Sequence, residues 1–323
     1  MSQGHDAVGR EAVSPDAVAR AESILRSACG DRVRTGFSLA PLTSFRIGGP
    51  AALFLEPQST DDLAAAAHAV RETGLPFVVL GKGSNVLVAD DGFRGLVLRL
   101  GKGFRWTARA GTRLTAGGAM PLPALSGVAL AHSLAGLEFG VAIPASLGGA
   151  VRMNAGAHGH SLDEAVEQIE VFSLRSGSSR TVPAEEAGFR YRGSSLPEDG
   201  VVVAATVSLR MGEREEIRRL MEEARDWRRA TQPLAEPNCG SVFKNPARGH
   251  AARMIEGLGL KGTAVGGATV STKHANFIVA SPGARAADVV ELIRLIQRRV
   301  SERYGTMLEP EVHLVGEFDL AIR

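Results

Sequence analysis

The chain reads Pro76-Phe-Val-Val-Leu-Gly-Lys-Gly-Ser-Asn-Val-Leu-Val88, two short apolar segments separated by a glycine-rich loop. The β-branched and aromatic residues on both sides of the loop predict two buried strands. Residues 81–85, Gly-Lys-Gly-Ser-Asn, combine backbone N–H groups with small polar side chains, and such a loop can bind a diphosphate. It is not the dinucleotide fingerprint, because G-x-G-x-x-G is absent and a strand follows instead of a helix. A tight turn is the alternative interpretation of this loop.

A strand and a helix precede this segment and complete a βαβ pattern. Residues 52–55, Ala-Leu-Phe-Leu, predict a buried strand. Ser59 is typical of a helix cap, the residues after it are rich in alanine, and Gly74 is typical of a helix end. The sequence therefore predicts an α/β unit over residues 41–100.

The chain ahead of this unit, residues 1–40, is predicted to contain a tail and one helix. Residues 1–13 are polar and are expected to be disordered. Ser14 and Pro15 are typical of the cap and first turn of a helix, and Gly30 is typical of its end. The tail lacks the apolar core of a signal peptide, so a cytoplasmic protein is expected.

Residues 101–211 are richer in glycine and in strand-forming residues, and they are predicted to form a second unit. The run from Gly136 to Gly159 has few charges and many residues small enough to lie flat against a ligand. Ser146 and Asn154 could form hydrogen bonds with such a ligand. A glycine-rich crossover packed on a sheet is the alternative. A β-branched run over residues 201–209 predicts the strand that closes this unit.

Residues 212–323 are predicted to form a third domain of mixed α and β structure. Its first helix has apolar residues spaced three or four apart, with charged residues on the other face. These apolar residues are Ile217, Leu220, Met221, Ala224 and Trp227. A second amphipathic helix is predicted over residues 285–303, and a terminal strand over residues 310–315.

Between these two helices lies a loop with three reactive or polar groups, Pro237-Asn-Cys-Gly-Ser-Val-Phe-Lys-Asn-Pro246, which we name the serine loop. It places a hydroxyl (Ser241), an ammonium (Lys244) and an amide (Asn245) within five residues. Gly240 removes a side chain next to the serine, so a ligand can approach the backbone closely. Such a loop can direct a proton donor at an anionic substrate, and an ordinary polar turn is the alternative.

Composition restricts the function classes. The chain has 323 residues, with 37 basic and 35 acidic residues and a net charge of +2, which argues against a nucleic-acid partner. No apolar run is long enough to span a bilayer, so no membrane partner is expected. Two cysteines do not make a disulfide framework, and no Cys/His group has zinc-ligand spacing, so no metal is expected.

Seven short stretches of the chain are informative when they are taken together in the order in which they occur. They are Ser44–Ala51, Leu80–Val88, Ile143–Gly159, Tyr191–Ser194, Gly240–Pro246, Val270–Ile278 and Leu308–Val312. Each stretch alone is a weak signal, but together they span residues 41–315. In this order they resemble the UDP-N-acetylenolpyruvoylglucosamine reductase family, and the layout is similar to its shorter, type II form.

The resemblance implies an α+β fold and a redox reaction. The fold is that of the vanillyl-alcohol-oxidase (PCMH) type of FAD proteins, with two α/β domains that hold FAD and a C-terminal α+β domain that covers the substrate. The corresponding domains are residues 41–100, 101–211 and 212–323. The reaction is NADPH-dependent reduction of UDP-N-acetylglucosamine enolpyruvate to UDP-N-acetylmuramate, a peptidoglycan precursor. NADPH reduces FAD, FAD passes hydride to the enolpyruvyl ether, and the adjacent carbon is protonated. A monomer is expected.

Three residues match the family's positions for the protonation step. The guanidinium of Arg192 suits the carboxylate of an enol intermediate, because it binds bidentately and keeps its charge. Glu311 would share a proton with the same oxygens if burial raises its pKa. Ser241 is implied as the proton donor to carbon. Glu309, two residues earlier, is the alternative to Glu311, and Pro310 between them is expected to turn Glu309 away.

The resemblance also implies residues that contact the ligands. The substrate-binding residues are Tyr191, Lys244 and Asn245, with the lysine and the amide near the diphosphate. The cofactor-binding residues are Arg46, Gly81, Lys82, Gly83, Ser84, Asn85, Ile143, Pro144, Ser146, Gly148, Gly149 and Asn154.

The chain departs from the family pattern in places. Ala142 and Ala145 stand where glycines are usual, Lys82 where a third glycine is common, and Asn238-Cys239 where smaller residues are frequent. Two interpretations from other classes stay open. A sugar- or alcohol-oxidising flavoprotein would share the FAD fold, would need no Ser241 donor and would react with oxygen. A non-catalytic flavin- or UDP-sugar-binding protein is the second.

Overall fold

The computed structural model describes residues 13–318, so all of the predicted disordered tail except Val13 lies outside the described residues. The helices are α1 (Pro15–Cys29), α2 (Thr60–Thr73), α3 (Leu122–Ala131), α4 (Leu147–Arg152), α5 (Arg214–Thr231), α6 (Ala251–Gly257) and α7 (Ala286–Tyr304). The strands are β1 (Val33–Ser38), β2 (Pro50–Leu55), β3 (Phe77–Val79), β4 (Val86–Val88), β5 (Phe93–Leu98), β6 (Thr107–Ala110), β7 (Arg113–Gly117), β8 (Leu134–Ala135), β9 (Gly156–Ala157), β10 (His160–Ser161), β11 (Val166–Ser173), β12 (Ser178–Pro183), β13 (Gly200–Ser208), β14 (Arg210–Met211), β15 (Ala264–Val265), β16 (Ala268–Val270), β17 (Ile278–Ala280) and β18 (His313–Val315).

The first sheet has the strand order β1-β2-β5-β3. Strands β2 and β3 are both parallel to β5, which lies between them, and β1 is antiparallel to β2. The βαβ prediction for β2, α2 and β3 is confirmed, because such parallel strands require a crossover connection. Helices α1 and α2 pack on this sheet through a core that includes Leu25, Leu53 and Leu63.

Both predicted helix starts are confirmed in atomic detail. The Ser14 hydroxyl accepts a hydrogen bond from the N–H of Ala17 at 3.3 Å, and the Ser59 hydroxyl accepts one from the N–H of Asp62 at 3.3 Å. Helix α2 ends at Gly74 with a φ of 64°, a left-handed conformation that glycine adopts without a Cβ penalty. The predicted helix residues therefore set the bounds of α1 and α2.

The second sheet is antiparallel, with the order β12-β11-β13-β7-β6. Strand β13 confirms the predicted β-branched strand and is buried along nearly its whole length. Helices α3 and α4 cover one face of this sheet through Leu122, Leu125 and Leu147. The loop before α4 carries Ile143 to Ser146, so the sheet presents the small-residue run toward the first unit.

The third body combines the sheet β15-β16-β17 with α6 and α7. Helix α5 confirms the predicted amphipathic helix, and Ile217, Met221 and Ala224 are buried against Ala135, Val141 and Ala142. Two residues assigned to the apolar face behave differently, since the side chains of Leu220 and Trp227 are exposed. The surface formed by Ala135, Val141 and Ala142 covers only the side of α5 that carries Ile217, Met221 and Ala224. The ring of Trp227 instead contacts the ring of His158 edge-on, with 5.1 Å between the ring centroids.

The terminal strand is shorter than the predicted range of residues 310–315, and it pairs with a strand of the first unit. Strand β18 covers His313–Val315 and pairs in parallel with β4 of the first unit. Pro310 has no N–H for a strand ladder, and its segment forms a bridge with Phe243 in the serine loop instead. The chain therefore carries Glu311 past both the serine loop and the glycine-rich loop. Within residues 13–318, no helix has the length and apolar character needed to span a bilayer.

Candidate active site

An arginine and a buried glutamate meet at the junction of the three bodies. Arg192 lies in a tight turn closed by reciprocal backbone hydrogen bonds between Arg190 and Gly193, at 3.0 and 3.1 Å. Its φ of 57° is a left-handed conformation that is uncommon for a residue with a Cβ, and such strain is frequent at functional sites. The Nε atom of Arg192 lies 2.8 Å from Oε1 of Glu311.

Burial and the neighbouring charges act in opposite directions on the pKa of the Glu311 carboxyl. Its side chain is 14% exposed, and burial raises the pKa of its carboxyl, while Arg192 and Lys244 act in the opposite direction. The Arg192–Glu311 contact is an ion pair without good hydrogen-bond direction, and the buried Nε–H of Arg192 has no aligned acceptor among residues 13–318. A buried donor without an acceptor is costly, so the arrangement suits an added anion.

The serine loop runs alongside Glu311. The N–H of Glu311 donates to the carbonyl of Val242 at 2.7 Å, and the N–H of Lys244 donates to the carbonyl of Glu309 at 2.9 Å. Ser241 therefore directly precedes the residue that is bonded to Glu311. The half-buried Ser241 hydroxyl forms no hydrogen bond with another residue of the described chain, so it is free to donate to a ligand.

A buried asparagine fixes the conformation of this loop. The Asn276 side chain accepts a hydrogen bond from the N–H of Phe243 at 3.0 Å and donates one to its carbonyl at 2.8 Å. The Asn276 carbonyl also accepts from the N–H of Val242 at 2.8 Å. Asn276 lies within the Val270–Ile278 stretch, but nothing in the local sequence pattern shows that its hydrogen-bond partner is more than thirty residues away.

Ser44 and Asn238 connect the serine loop to the glycine-rich loop. The Ser44 hydroxyl donates to the carbonyl of Asn238 at 2.6 Å, and the Ser44 N–H donates to the carbonyl of Gly83 at 2.9 Å. The Asn238 side chain accepts from the N–H of Gly240 at 2.9 Å. Asn238, which stands where the family often has a smaller residue, thus stabilises the turn just before Ser241. Cys239 is buried, and burial raises the pKa of its thiol further above neutrality, so it is not a thiolate.

A cleft that is open to solvent lies between the first two sheets. Backbone packs tightly along its walls. A Cβ at Gly81 would meet the hydroxyl of Ser146 at 2.6 Å, and one at Gly118 would meet the carbonyl of Val202 at 2.1 Å. Only glycine fits where two backbones or a flat ligand approach this closely.

The cleft is strongly cationic. Lys82, Arg99, Arg105 and Arg152 line it without any acidic residue. Burial together with the charges of Arg105 and Arg99 lowers the pKa of Lys82. Within residues 13–318, none of the side chains of Lys82, Arg99 and Arg105 pairs with a carboxylate. Like charges that repel one another without a counter-ion are typical of a site for an anion such as a diphosphate.

Comparison with known proteins matches two parts of the chain to profiles of known domains. The C-terminal domain profile of UDP-N-acetylenolpyruvoylglucosamine reductase matches residues 232–315, and an FAD binding domain profile matches residues 51–182. The reductase of that name from Anaeromyxobacter sp. is 46% identical over 303 residues, covering 94% of each chain. The one from Heliobacterium modesticaldum is 47% identical over 277 residues, covering 85% of this chain and 88% of its own. The chain belongs to the UDP-N-acetylenolpyruvoylglucosamine reductase family.

A solved structure of the family extends this match to three dimensions. The UDP-N-acetylenolpyruvylglucosamine reductase from Thermus caldophilus superposes with a TM-score of 0.76 at 37% identity, over 88% of this chain and 98% of its own. The predicted fold is therefore confirmed: an FAD-binding fold of the vanillyl-alcohol-oxidase type followed by the C-terminal domain of this reductase family.

The cofactor residues predicted for a reductase of this family fall into two groups. Gly81, Lys82, Ser146, Gly148 and Gly149 line the cleft directly. The remaining members lie outside its lining, and these are Arg46, Gly83, Ser84, Asn85, Ile143, Pro144 and Asn154.

Asn85 contacts the segment that carries Glu311, and Arg46 lies in a turn of the first unit. The Asn85 side chain donates to the carbonyl of Glu311 at 3.0 Å, so the end of the glycine-rich loop reaches this carboxylate segment. The exposed Arg46 has a φ of 59°, and its N–H donates to the carbonyl of Thr43 at 3.2 Å. Asn85 therefore connects the glycine-rich loop to the segment that carries Glu311.

Asn154 is placed inside the protein. It is 3% exposed, its Nδ2 donates to the carbonyl of Arg190 at 3.2 Å, and its Oδ1 accepts from the N–H of Asp163 at 3.0 Å. The side chain therefore supports the turn that carries Arg192. Arg99 and Arg105 were missed by sequence reasoning, because isolated arginines in separate segments give no motif until the fold brings them together.

The predicted substrate residues surround the mouth of the junction. The Lys244 ammonium lies 2.5 Å from Oε1 of Glu309. The Tyr191 hydroxyl accepts a hydrogen bond from the N–H of Asn245 at 3.4 Å, and 54% of Tyr191 is exposed. The Asn245 side chain accepts from the N–H of Ala251 at 3.1 Å at the start of α6, which leaves its NH₂ group for a ligand.

Proposed function

We propose that this chain is the NADPH-dependent flavoenzyme that reduces UDP-N-acetylglucosamine enolpyruvate to UDP-N-acetylmuramate for peptidoglycan synthesis. The observation that carries the proposal is the Arg192–Glu311 pair beside the serine loop, at the end of a cationic cleft in an FAD-binding domain. The family supplies the substrate, a nucleotide sugar whose enolpyruvyl ether bears a carboxylate.

The cleft fits FAD by shape and by charge. Crowded glycines make flat walls, and no acidic residue of the described chain pairs with Lys82, Arg99 or Arg105 and competes with a diphosphate. Bound FAD supplies the redox chemistry, since it can take two electrons from NADPH and reduce the enolpyruvyl double bond. We assign residues 41–100 and 101–211 as the domains that hold it, and residues 212–323 as the substrate-binding domain. The predicted cofactor residues outside the cleft lining are proposed to hold the rest of FAD, with Asn154 acting as a support.

Arg192 binds the carboxylate of the substrate in this proposal. Negative charge accumulates on these oxygens when the carbon next to the carboxylate becomes an enolate. A guanidinium can donate two parallel hydrogen bonds to them and does not lose its proton. The unaligned Nε–H of Arg192 is available for this purpose, and the strained turn holds the side chain in place before the substrate arrives.

Glu311 holds a proton on the same oxygens. Burial raises the pKa of its carboxyl, which keeps the acid form available above the range of an exposed glutamate. A neutral acid can donate a hydrogen bond to the developing enol, whereas a carboxylate would repel it. The ion pair with Arg192 opposes this rise in the pKa of Glu311. When the substrate binds, the guanidinium turns to the substrate carboxylate and no longer opposes it.

Ser241 delivers the proton to carbon. Its hydroxyl lies on the loop bonded to Glu311, and it forms no hydrogen bond with another described residue. A hydroxyl is a weak acid in water, but a positioned one can protonate a strongly basic enolate carbon. Tyr191, Lys244 and Asn245 complete the site by binding the rest of the substrate, with the ammonium at the diphosphate.

A flavin spectrum tests the proposal. The purified protein should be yellow, NADPH should bleach the flavin without oxygen, and the enolpyruvyl nucleotide sugar should restore the colour. A sugar or alcohol oxidase would instead be bleached by its alcohol and restored by oxygen. A non-catalytic binding protein would show no bleaching with NADPH. Either of these outcomes, or a protein that takes up no FAD, would overturn the proposal.

We also propose that the enzyme works as a monomer in the cytoplasm. NADPH and nucleotide sugars are available in that compartment. Arg192 contacts Glu311 within one chain, and the loop that carries Ser241 is bonded to the Glu311 backbone in the same chain. Light scattering coupled to size-exclusion chromatography tests the first point, and cell fractionation tests the second.

A further inference from the structure

Lys244 lies between two carboxylates that differ in their surroundings. Its ammonium is paired with the exposed Glu309 at 2.5 Å, and it also acts electrostatically on the buried Glu311. The Lys244 side chain is 22% exposed and that of Glu309 is 66% exposed. The ammonium therefore has a choice of partners, and in this structure the exposed one holds it.

The backbone makes this pairing specific. The N–H of Lys244 donates to the carbonyl of Glu309 at 2.9 Å, and Pro310 forms a bridge with Phe243. Residues directly opposite each other on paired extended segments have side chains within reach of one another. The geometry thus sets Glu309 opposite Lys244, while Glu311 lies opposite Val242 and turns into the protein.

We propose that Glu309 is a positioning residue that holds the Lys244 ammonium at the mouth of the site and away from Glu311. The inference rests on the proposed function, because it requires a protonated Glu311 and an anionic substrate. Lys244 stays available for the diphosphate of the substrate at the mouth, and Glu311 keeps its proton for the enol. Without Glu309, the ammonium turns to Glu311 and favours its charged form.

Few charged or titratable groups of the described chain lie near Glu311, so few groups other than Lys244 could change its charge state. Arg192 comes from the 190–193 turn, and Lys244 and the Cys239 thiol come from the serine loop. Asn85 comes from the glycine-rich loop and is neutral. Arg192 already has Glu311 as its partner, and the thiol is protonated because burial raises its pKa. Lys244 is therefore the cation whose position Glu309 can change.

The test is the pH dependence of flavin reoxidation in a single turnover of the NADPH-reduced holoenzyme with the enolpyruvyl nucleotide sugar. In wild type, the rate should fall as pH rises through the pKa of Glu311 in the complex. In Glu309→Gln, this fall should move to lower pH by about one unit, since a cation that comes within a few ångströms lowers a carboxyl pKa by about that much. The loss of rate on the high-pH side should then be about tenfold.

Two further variants separate positioning from general loss of an ion pair. Glu256→Gln removes a similar exposed pair, Lys261–Glu256 at 2.6 Å, and should leave the pH profile unchanged. Glu309→Asp keeps the charge and should recover much of the wild-type profile. Lys244→Met added to Glu309→Gln should move the fall back to higher pH, even though substrate binding weakens.

The outcomes distinguish this inference from the proposed function. If wild type is not reoxidised by the enolpyruvyl nucleotide sugar, the proposed function fails. If wild type is reoxidised and Glu309→Gln has the wild-type pH profile, the positioning role is wrong while the function stands. A shift that Lys244→Met does not reverse would also overturn the role, because the effect would not pass through the ammonium.

Discussion

At the scale of single residues, the proposed site contains a buried carboxyl, Glu311, and a hydroxyl, Ser241, that forms no hydrogen bond with another described residue. Burial favours the acid form of Glu311, and the nearby guanidinium of Arg192 favours the charged form. The balance between these effects is set by position alone, because Glu309 has the same chemistry and is exposed. Two residues of chain therefore separate the buried carboxyl of Glu311 from the exposed carboxyl of Glu309.

Replacement of Glu311 by glutamine should slow the flavin-to-substrate half-reaction at low pH, where the wild-type carboxyl holds its proton. Glutamine fills the same space but cannot share a proton with the enol. Reduction of the flavin by NADPH should be unaffected. Stopped-flow reoxidation of Glu311→Gln should show a rate loss on the order of 10²-fold or more, the typical contribution of a positioned acid. Glu309→Gln should match wild type at low pH, where Glu311 is protonated in both proteins. If Glu309→Gln is instead the crippled variant at low pH, the catalytic role belongs to Glu309.

At the scale of elements, the serine loop is held by partners from distant segments. Asn276 forms three hydrogen bonds with it through its side chain and backbone, and Ser44 connects it to the glycine-rich loop. Residues of such a loop cannot rely on a helix or a long ladder for their backbone hydrogen bonds. Buried amides of this kind supply the missing partners.

Asn276→Ala should lower both stability and catalysis. It leaves the buried N–H and C=O of Phe243 without partners, at a cost on the order of 2–4 kcal/mol of unfolding free energy. The serine loop should then lose its conformation, so reoxidation by substrate should slow while NADPH still bleaches the flavin. Thermal unfolding and the two half-reactions measure these effects. Unchanged reoxidation in a clearly destabilised variant would show that Asn276 supports the fold without positioning Ser241.

Elements with local signals were predictable, and contacts between distant segments were not. Helices α1 and α2 begin and end at predicted caps, because a serine and a glycine act within a few residues of the helix end. Strand β18 was drawn too long and its parallel partner β4 was not foreseen, since pairing depends on the path of the whole chain. For the same reason, sequence reasoning named Lys82 for the cleft but not Arg99 and Arg105.

At the scale of the whole molecule, the cleft and the Arg192–Glu311 pair lie at the boundaries between the packed bodies. The cationic cleft lies between the first two sheets. The third body reaches the Arg192–Glu311 pair through the serine loop, and β18 pairs with β4 of the first unit. A cofactor that binds only the assembled cleft stabilises the fold by mass action. FAD should therefore raise the unfolding temperature of the apoprotein in proportion to the logarithm of its concentration.

The cleft arginines should control FAD affinity in a salt-dependent way. Arg99→Gln and Arg105→Gln each remove a cation without an acidic partner, so FAD should bind about tenfold more weakly or worse. The dependence of affinity on salt should also become shallower, because fewer charges contribute. Fluorescence titration of the apoprotein with FAD measures both. Arg109→Gln is the control, since Arg109 lies outside the cleft lining and its side chain donates to the carbonyl of Gly111 at 2.8 Å. Equal losses in all three variants would contradict a role for the cleft cations.

The central claim is that Ser241 serves the protonation of the substrate and not the loading of the flavin. Its most direct test is anaerobic stopped-flow spectroscopy of Ser241→Ala in two separate half-reactions. NADPH should bleach the flavin of the variant at the wild-type rate. Reoxidation by the enolpyruvyl nucleotide sugar should then be slower by a factor on the order of 10²–10⁴, as expected when a general acid is lost. Reoxidation near the wild-type rate, or an equal loss in both half-reactions, would contradict the assignment of Ser241 as the proton donor.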